Sequence, residues 1–255
     1  PGDVDGNNND FPVALPGILI RNGDNLFMRS QILDRTGKRL KLRVSIEDEF
    51  TDEPFLHAPE GLLDDSGHDR HYWGLNKGQT FRQGRFSMMA LRGVPAGKLL
   101  VYDDQRAYAF GRQPSLYGWR RGLEYRLYAA KPATAQTPKY GLAKPEWEDL
   151  KPPIQVRALV KAGDRLYAAG PPDVFDEVHA HDKMDDPDVL KDMREQQDAY
   201  DGKLGARLWI VNAKNGQTLK QLELPSSPVW DGMAAVADKL FITGENGDVL
   251  CVSGK

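Results

Sequence analysis

The feature that most constrains this chain is a short hairpin unit that recurs along it. An apolar run leads into a Gly- or Asp-bearing turn. Leu or Ala then follows, with an aromatic residue directly after it. The first copy runs Gly17-Ile18-Leu19-Ile20, Asn22-Gly23-Asp24-Asn25, Leu26-Phe27-Met28-Arg29. Asn-Gly between apolar runs is a strong hairpin signal. The second runs from Lys98 to Tyr102, turns at Asp103–Arg106 and resumes at Ala107-Tyr108-Ala109-Phe110. The third joins Val156–Val160 to Leu166-Tyr167-Ala168-Ala169, and the fourth joins Met233–Val236 to Leu240-Phe241-Ile242-Thr243. The residues before the aromatic, Leu26, Ala107, Leu166 and Leu240, lie 81, 59 and 74 residues apart. Repeats of this kind give stacked antiparallel sheets, and their irregular spacing calls for insertions. The chain is therefore expected to be all-β.

Three segments read as the insertions. Residues 51–96 are rich in Asp, His, Gly and aromatics, and residues 131–153 are rich in Pro, Ala and Lys without periodicity. Residues 171–205 hold one convincing helix, from Pro187 to about Tyr200. Asp186 is placed to cap it and Pro187 suits its first position. Val189, Leu190, Met193, Gln197 and Tyr200 fall roughly on one face, and Gly202 and Gly205 end it. The thin apolar stripe predicts a surface helix. Residues 1–12 are polar and read as a tail or linker. Within it, Asp3-Val4-Asp5-Gly6-Asn7 starts like a calcium loop, but its Gly falls too early and no Glu closes it, so it is not an EF-hand. Pro1-Gly2-Asp3 is not a translation start, and the chain is expected to be a fragment or a processed part of something longer.

Composition removes whole classes. With 34 basic and 37 acidic residues the net charge is -3, which gives no electrostatic footprint for nucleic acid. No run of 18 apolar residues exists, so no membrane span is expected. The single cysteine, Cys251, excludes an intrachain disulfide, a Cys-rich zinc site and a haem-attachment motif. The sequence contains no serine-hydrolase elbow, Walker loop, dinucleotide fingerprint or HExxH motif.

The last quarter carries a pattern with a family likeness. Leu208-Trp209-Ile210-Val211-Asn212-Ala213-Lys214-Asn215-Gly216-Gln217-Thr218-Leu219 resembles the blade repeat of PQQ-like (quinoprotein-like) β-propellers, in which a strand ends in a D-A-x-x-G-x-x-L turn. Asn212 stands where Asp is usual, and Lys220 where a docking Trp often sits. Gly247-Asp248-Val249-Leu250-Cys251-Val252 resembles the next half-repeat. Gly216 and Gly247 would supply positive-φ turns. Further stretches look like the C-terminal part of large secreted bacterial proteins with PQQ-like propellers: Phe55–Pro59, Leu63–Ser66, His68–Trp73, Ala96–Asp103, Gly170–Asp173 and Val229–Ala235. The resemblance implies a propeller over residues 13–255, of about four blades or as part of a larger ring. It also implies export to the periplasm or beyond, and a longer parent chain. That group is mostly without assigned activity.

Two clusters could bind something. Asp64, Asp65, His68, His71 and Trp73 combine carboxylates, imidazoles and aromatics in one loop, suiting a metal or a sugar. The related segments are more aromatic where Gly67 and Asp69 stand. Asp176, His179 and His181 offer a His-x-His pair beside carboxylates, as a zinc or copper site requires. The related segments are acidic without the His pair. Against both stands the plainer reading of solvated loops held by side-chain hydrogen bonds. Arg112, Arg120, Arg121 and Arg126 with Tyr117, Trp119 and Tyr125 form a local basic, aromatic stretch. Arginine heads on strands, reaching water over packed rings, explain it without a polyanion.

The leading expectation is a non-catalytic propeller segment serving as a binding or assembly scaffold. Its partner is another polypeptide or upstream blades of the same protein. No cofactor is expected: calcium is conceivable, and PQQ is disfavoured. A quinone-dependent dehydrogenase whose site lies mostly upstream is one alternative. Its usual vicinal cysteine pair cannot be built from Cys251 alone. A glycan-binding module using the 64–73 loop is the other.

Overall fold

The computed structural model of the chain describes residues 19–22, 24–28, 31–38, 54–57, 73–77, 94–113, 124–132 and 144–253. Two compact units emerge, one of residues 1–98, 114–120 and 131–144, the other of residues 99–113, 121–130 and 145–255.

Among its described residues the first unit carries two three-stranded antiparallel sheets, each in chain order. They are β1 (Leu19–Asn22), β2 (Asn25–Met28) and β3 (Gln31–Leu33), then β4 (Pro54–His57), β5 (Trp73–Lys77) and β6 (Ala96–Gly97). Asn22 faces Asn25 where the first hairpin turns. After β3, Asp34 Oδ1 accepts from the backbone N of Thr36 and Lys38, closing a tight turn.

The second unit contains three sheets. β7 (Leu99–Tyr102), β8 (Ala107–Arg112), β9 (Tyr125–Ala130) and β10 (Trp147–Asp149) form the first, and β11 (Ala158–Ala162), β12 (Arg165–Gly170), β13 (Ala206–Asn212) and β14 (Thr218–Leu224) the second. β15 (Pro228–Val236), β16 (Lys239–Gly244) and β17 (Val249–Ser253) form the third, one strand narrower. Every pairing is antiparallel between consecutive strands. The first strands lie together, with β11 alongside both β7 and β15. All four hairpins expected from the repeat are present, as β1–β2, β7–β8, β11–β12 and β15–β16.

The period of two along each strand explains the repeat. On β12, Leu166 and Ala168 face the β7–β10 sheet in one core cluster, while Tyr167 and Ala169 face the β15–β17 sheet in another. On β13, Trp209 and Val211 take the first side, Leu208 and Ile210 the second. On β16, Leu240 and Ile242 face back toward β11–β14, and Phe241 alternates to the far face. The Leu-aromatic step thus sends an aliphatic residue to the preceding sheet and an aromatic one the other way. The three sheets of the second unit thus pack face to face in chain order, with their first strands together.

Segments expected as insertions contribute strands as well. Residues 51–96 supply β4, β5 and the start of β6, and residues 131–153 supply β10. A three-residue strand such as Trp147-Glu148-Asp149 is too short for a visible alternation. In the segment 171–205 the structure adds a one-turn helix, α1 (Glu177–Ala180), before the expected helix, α2 (Pro187–Tyr200). Asp186 caps α2 by accepting from Asp188 N at 2.9 Å, and Gly202 and Gly205 follow with φ of 79° and 71°. The face of α2 differs from expectation. Val189, Gln196 and Ala199 are buried, whereas Leu190 and Met193 are exposed. Gln196 turns inward because its side chain bridges two backbone groups, donating to Pro172 O and accepting from Val174 N.

Candidate functional site

A polar cluster lies in the second unit, where the insertion after β12 leaves the sheets. The β11–β12 pairing continues irregularly past the strands. Arg157 N donates to Ala169 O, Gln155 N to Pro171 O and Asp173 N to Pro153 O. Gly170 permits this, since a Cβ there would sit 1.9 Å from Gln155 O. Asp173 is thereby held at the root of the insertion, with α1 and α2 following.

Arg112 ends β8 on the face that also carries Tyr108 and Phe110. Its guanidinium lies 4.6 Å from the centre of the Tyr125 ring and forms an ion pair with Glu177 of α1. Glu124, just before β9, accepts from Val178 N at 3.0 Å. Burial pushes the Asp173 carboxyl up to about 6. The charge of Glu124 adds to that, while the Gln155 side chain and Arg112 oppose it. Burial raises Glu177 too, against the pull of Arg112. Tyr200 at the end of α2 is pushed to about 12 by burial, then by Asp173 and Glu177. Asp173, Glu177 and Tyr200 thus share the influence of Arg112. Arg157, at the edge of the group, forms its ion pair with Glu245.

The sequence candidates fall differently. Asp64, Asp65, His68 and His71 lie outside the described residues. Trp73 is half-buried on β5 opposite Gly97. Asp176 caps α1 by accepting from His179 N at 2.7 Å, and the His181 ring lies 2.8 Å from Asp182 Oδ1. His179 and His181 are exposed. Among the described residues, no three His, Cys, Asp or Glu side chains are grouped to hold a metal ion. Of the basic stretch, Arg112 and Arg126 are described, and both are committed internally. Arg126 pairs with Glu148 at 2.7 Å and lies 4.1 Å from the centre of the Tyr128 ring. Arg120, Arg121, Tyr117 and Trp119 lie outside the described residues.

The turn after β13 receives a tryptophan, though not from position 220. Trp147 of β10 crosses from the neighbouring sheet, and its Nε1 donates to Ala213 O at 3.0 Å. Its ring lies over Gly216, where a Cβ would come within 2.5 Å of ring carbon, and Gly216 holds φ at 76°. The positive-φ turn expected at Gly216 is present; the distant Trp147 that packs on it could not be paired with the turn by spacing.

The third sheet has an uncovered face. Val236 is 64% exposed, Val249 is 63% exposed, and Cys251 is exposed. Phe241 faces Ala234 on one side and Cys251 on the other across that face. β17 is an edge strand with no charged residue and no proline.

No family model matches the chain, and no curated protein matches it in sequence. Among solved structures it is similar to the computationally designed Ika8 protein, at 8% identity and TM-score 0.41, over 92% of this chain. It is also similar to BamB from Moraxella catarrhalis, at 12% identity and TM-score 0.42, over 93% of this chain. The chain spans 57% of the length of each. Scores at this level fall short of a shared fold, and the architecture stands on the sheets themselves.

Proposed function

We propose that this chain is a segment of a PQQ-like β-propeller, working outside the cytoplasm as a non-catalytic binding or assembly scaffold. It belongs to a longer chain or complex whose further blades, from the same protein or another polypeptide, complete the ring. The carrying observation is the side-by-side placement of β7, β11 and β15, the first strands of three successive antiparallel sheets packed face to face. The exposed valines on the last sheet support an unfilled place for the next blade. Apolar sheet faces and uncharged edges left open favour association.

The test is the native mass of the protein purified without denaturant, compared with the double variant Val236→Lys/Val249→Lys. The expected result is a wild-type assembly larger than 28.5 kDa that the variant dissociates, with the far-ultraviolet circular dichroism of the folded chain unchanged. A stable 28.5 kDa monomer whose ring closes on four blades would overturn the scaffold reading.

A further inference from the structure

We propose that the outward side of the insertion between β12 and β13 is a docking surface for a basic amphipathic segment of another polypeptide. Leu190 and Met193 of α2 are its apolar anchors.

α2 presents apolar residues to water and buries a polar one. Val189, Gln196 and Ala199 are buried, while Leu190 is 39% exposed and Met193 36% exposed. Gln196 fixes that rotation. Its amide donates to Pro172 O at 3.1 Å, and its Oε1 accepts from Val174 N at 2.8 Å. Rolling Leu190 and Met193 inward would break both bonds and leave polar groups unpaired, a cost that covering two partly open side chains does not offset. The apolar flank is therefore held outward. Leu190 and Met193 lie one turn apart, on the same side of the helix.

More apolar surface lies just ahead of α2. Val178 on α1 is 60% exposed and Met184 is 50% exposed. Lys183 N donates to Ala180 O, and Asp186 N to Lys183 O. These two consecutive turns set Met184 at the foot of α2. The methionines among these residues have unbranched side chains that adapt to a partner's contour.

Charge decides which partner fits. Residues 171–205 hold eleven acidic and four basic side chains, against a net charge of -3 for the whole chain. Part of that acid is engaged internally: Glu177 by Arg112, and Asp198 and Asp201 by Lys203. Among the described residues, no ion pair engages Asp185, Asp188, Asp192 or Glu195, all of them exposed. Lys191 and Arg194 on the same helix offset only some of this charge. An apolar strip edged by unpaired carboxylates suits a segment whose apolar side chains are flanked by Lys or Arg. An acidic partner or an anionic lipid surface would be repelled.

The probe is a synthetic peptide of leucine and lysine that forms an amphipathic helix as long as α2, 14 residues. It is titrated into the intact chain and read by the anisotropy of a dye on the peptide. The wild type is expected to bind it, and Leu190→Ser/Met193→Ser to bind at least about tenfold more weakly, since exposed anchors are lost without touching the core. Asp192→Asn/Glu195→Gln should weaken binding about threefold and flatten its salt dependence between about 50 and 300 mM NaCl. The same peptide with glutamate in place of lysine should not bind. No binding by the wild type, or equal binding by the serine variant, overturns the docking surface. Unchanged affinity and salt dependence in the Asn/Gln variant, or binding of the glutamate peptide, overturns the basic partner. A native mass that falls in the serine variant without peptide would assign the face to a second copy of this chain, and that also overturns the proposal. The surface uses no residue of the last sheet, so its failure leaves the blade-completion reading standing, and the reverse.

Discussion

The two faces of the β11–β14 sheet are packed in different ways. Toward β7–β10 the interface is built on rings. Tyr108, Phe110, Tyr125 and Trp209 are each at most 5% exposed, and Phe110 stacks on Tyr125 with centroids 5.1 Å apart. Trp209 also donates its ring N–H to Thr218 Oγ1 at 2.9 Å. Toward β15–β17 the interface is mainly aliphatic, and the ring it holds, Tyr167, is only partly buried. Leu208, Leu240 and Ile242 are buried, but Ile210, Leu222, Met233, Leu250 and Val252 around them are only partly so. Large rings need a slot closed on all sides, which two four-stranded sheets supply. A three-stranded sheet with an open far side cannot. Local stability should therefore fall from the first interface to the second.

Three substitutions break or sharpen that contrast. Trp209→Ala should have the largest effect, about 3–5 kcal/mol, because a rigid aromatic slot collapses poorly around the void. Urea unfolding of the intact chain reads it. Gly216→Ala comes next at about 2–3 kcal/mol, since an added Cβ meets the Trp147 ring and an L residue is strained at positive φ. Its cost should shrink in a Trp147→Ala background, which a double-mutant cycle measures. Leu240→Ala should be the mildest at about 2 kcal/mol, the low end for a buried leucine, because its half-buried neighbours can close in. If Leu240→Ala cost as much as Trp209→Ala, the two interfaces would be equally rigid and the contrast would be wrong.

The hairpins were legible because each turn is marked and each strand alternates within a few residues. α2 was legible from Asp186, Pro187 and the trailing glycines, but its orientation was not. A buried Gln196 looks polar until its two backbone partners, Pro172 and Val174, are in place. β10 escaped because three residues after a Pro- and Lys-rich stretch carry no period. The Arg112 cluster escaped for a different reason. Its members run from position 112 to position 200, and only the sheet stacking brings them together. Gly170 followed by two prolines was the local trace of it, a backbone forced close to its neighbour. The loop at 64–73 drew attention by density of functional groups alone, and four of its five candidates lie outside the described residues.

The uncovered face of the last sheet also carries the chain's single thiol. Cys251 is exposed, and its strand neighbours Leu250 and Val252 point the opposite way into the core. A maleimide dye will therefore attach at one defined place, without engineering, on the surface where the next blade is expected to sit. The rate of that labelling becomes a clock for occupancy: fast on the isolated chain, slow once another sheet is seated over it.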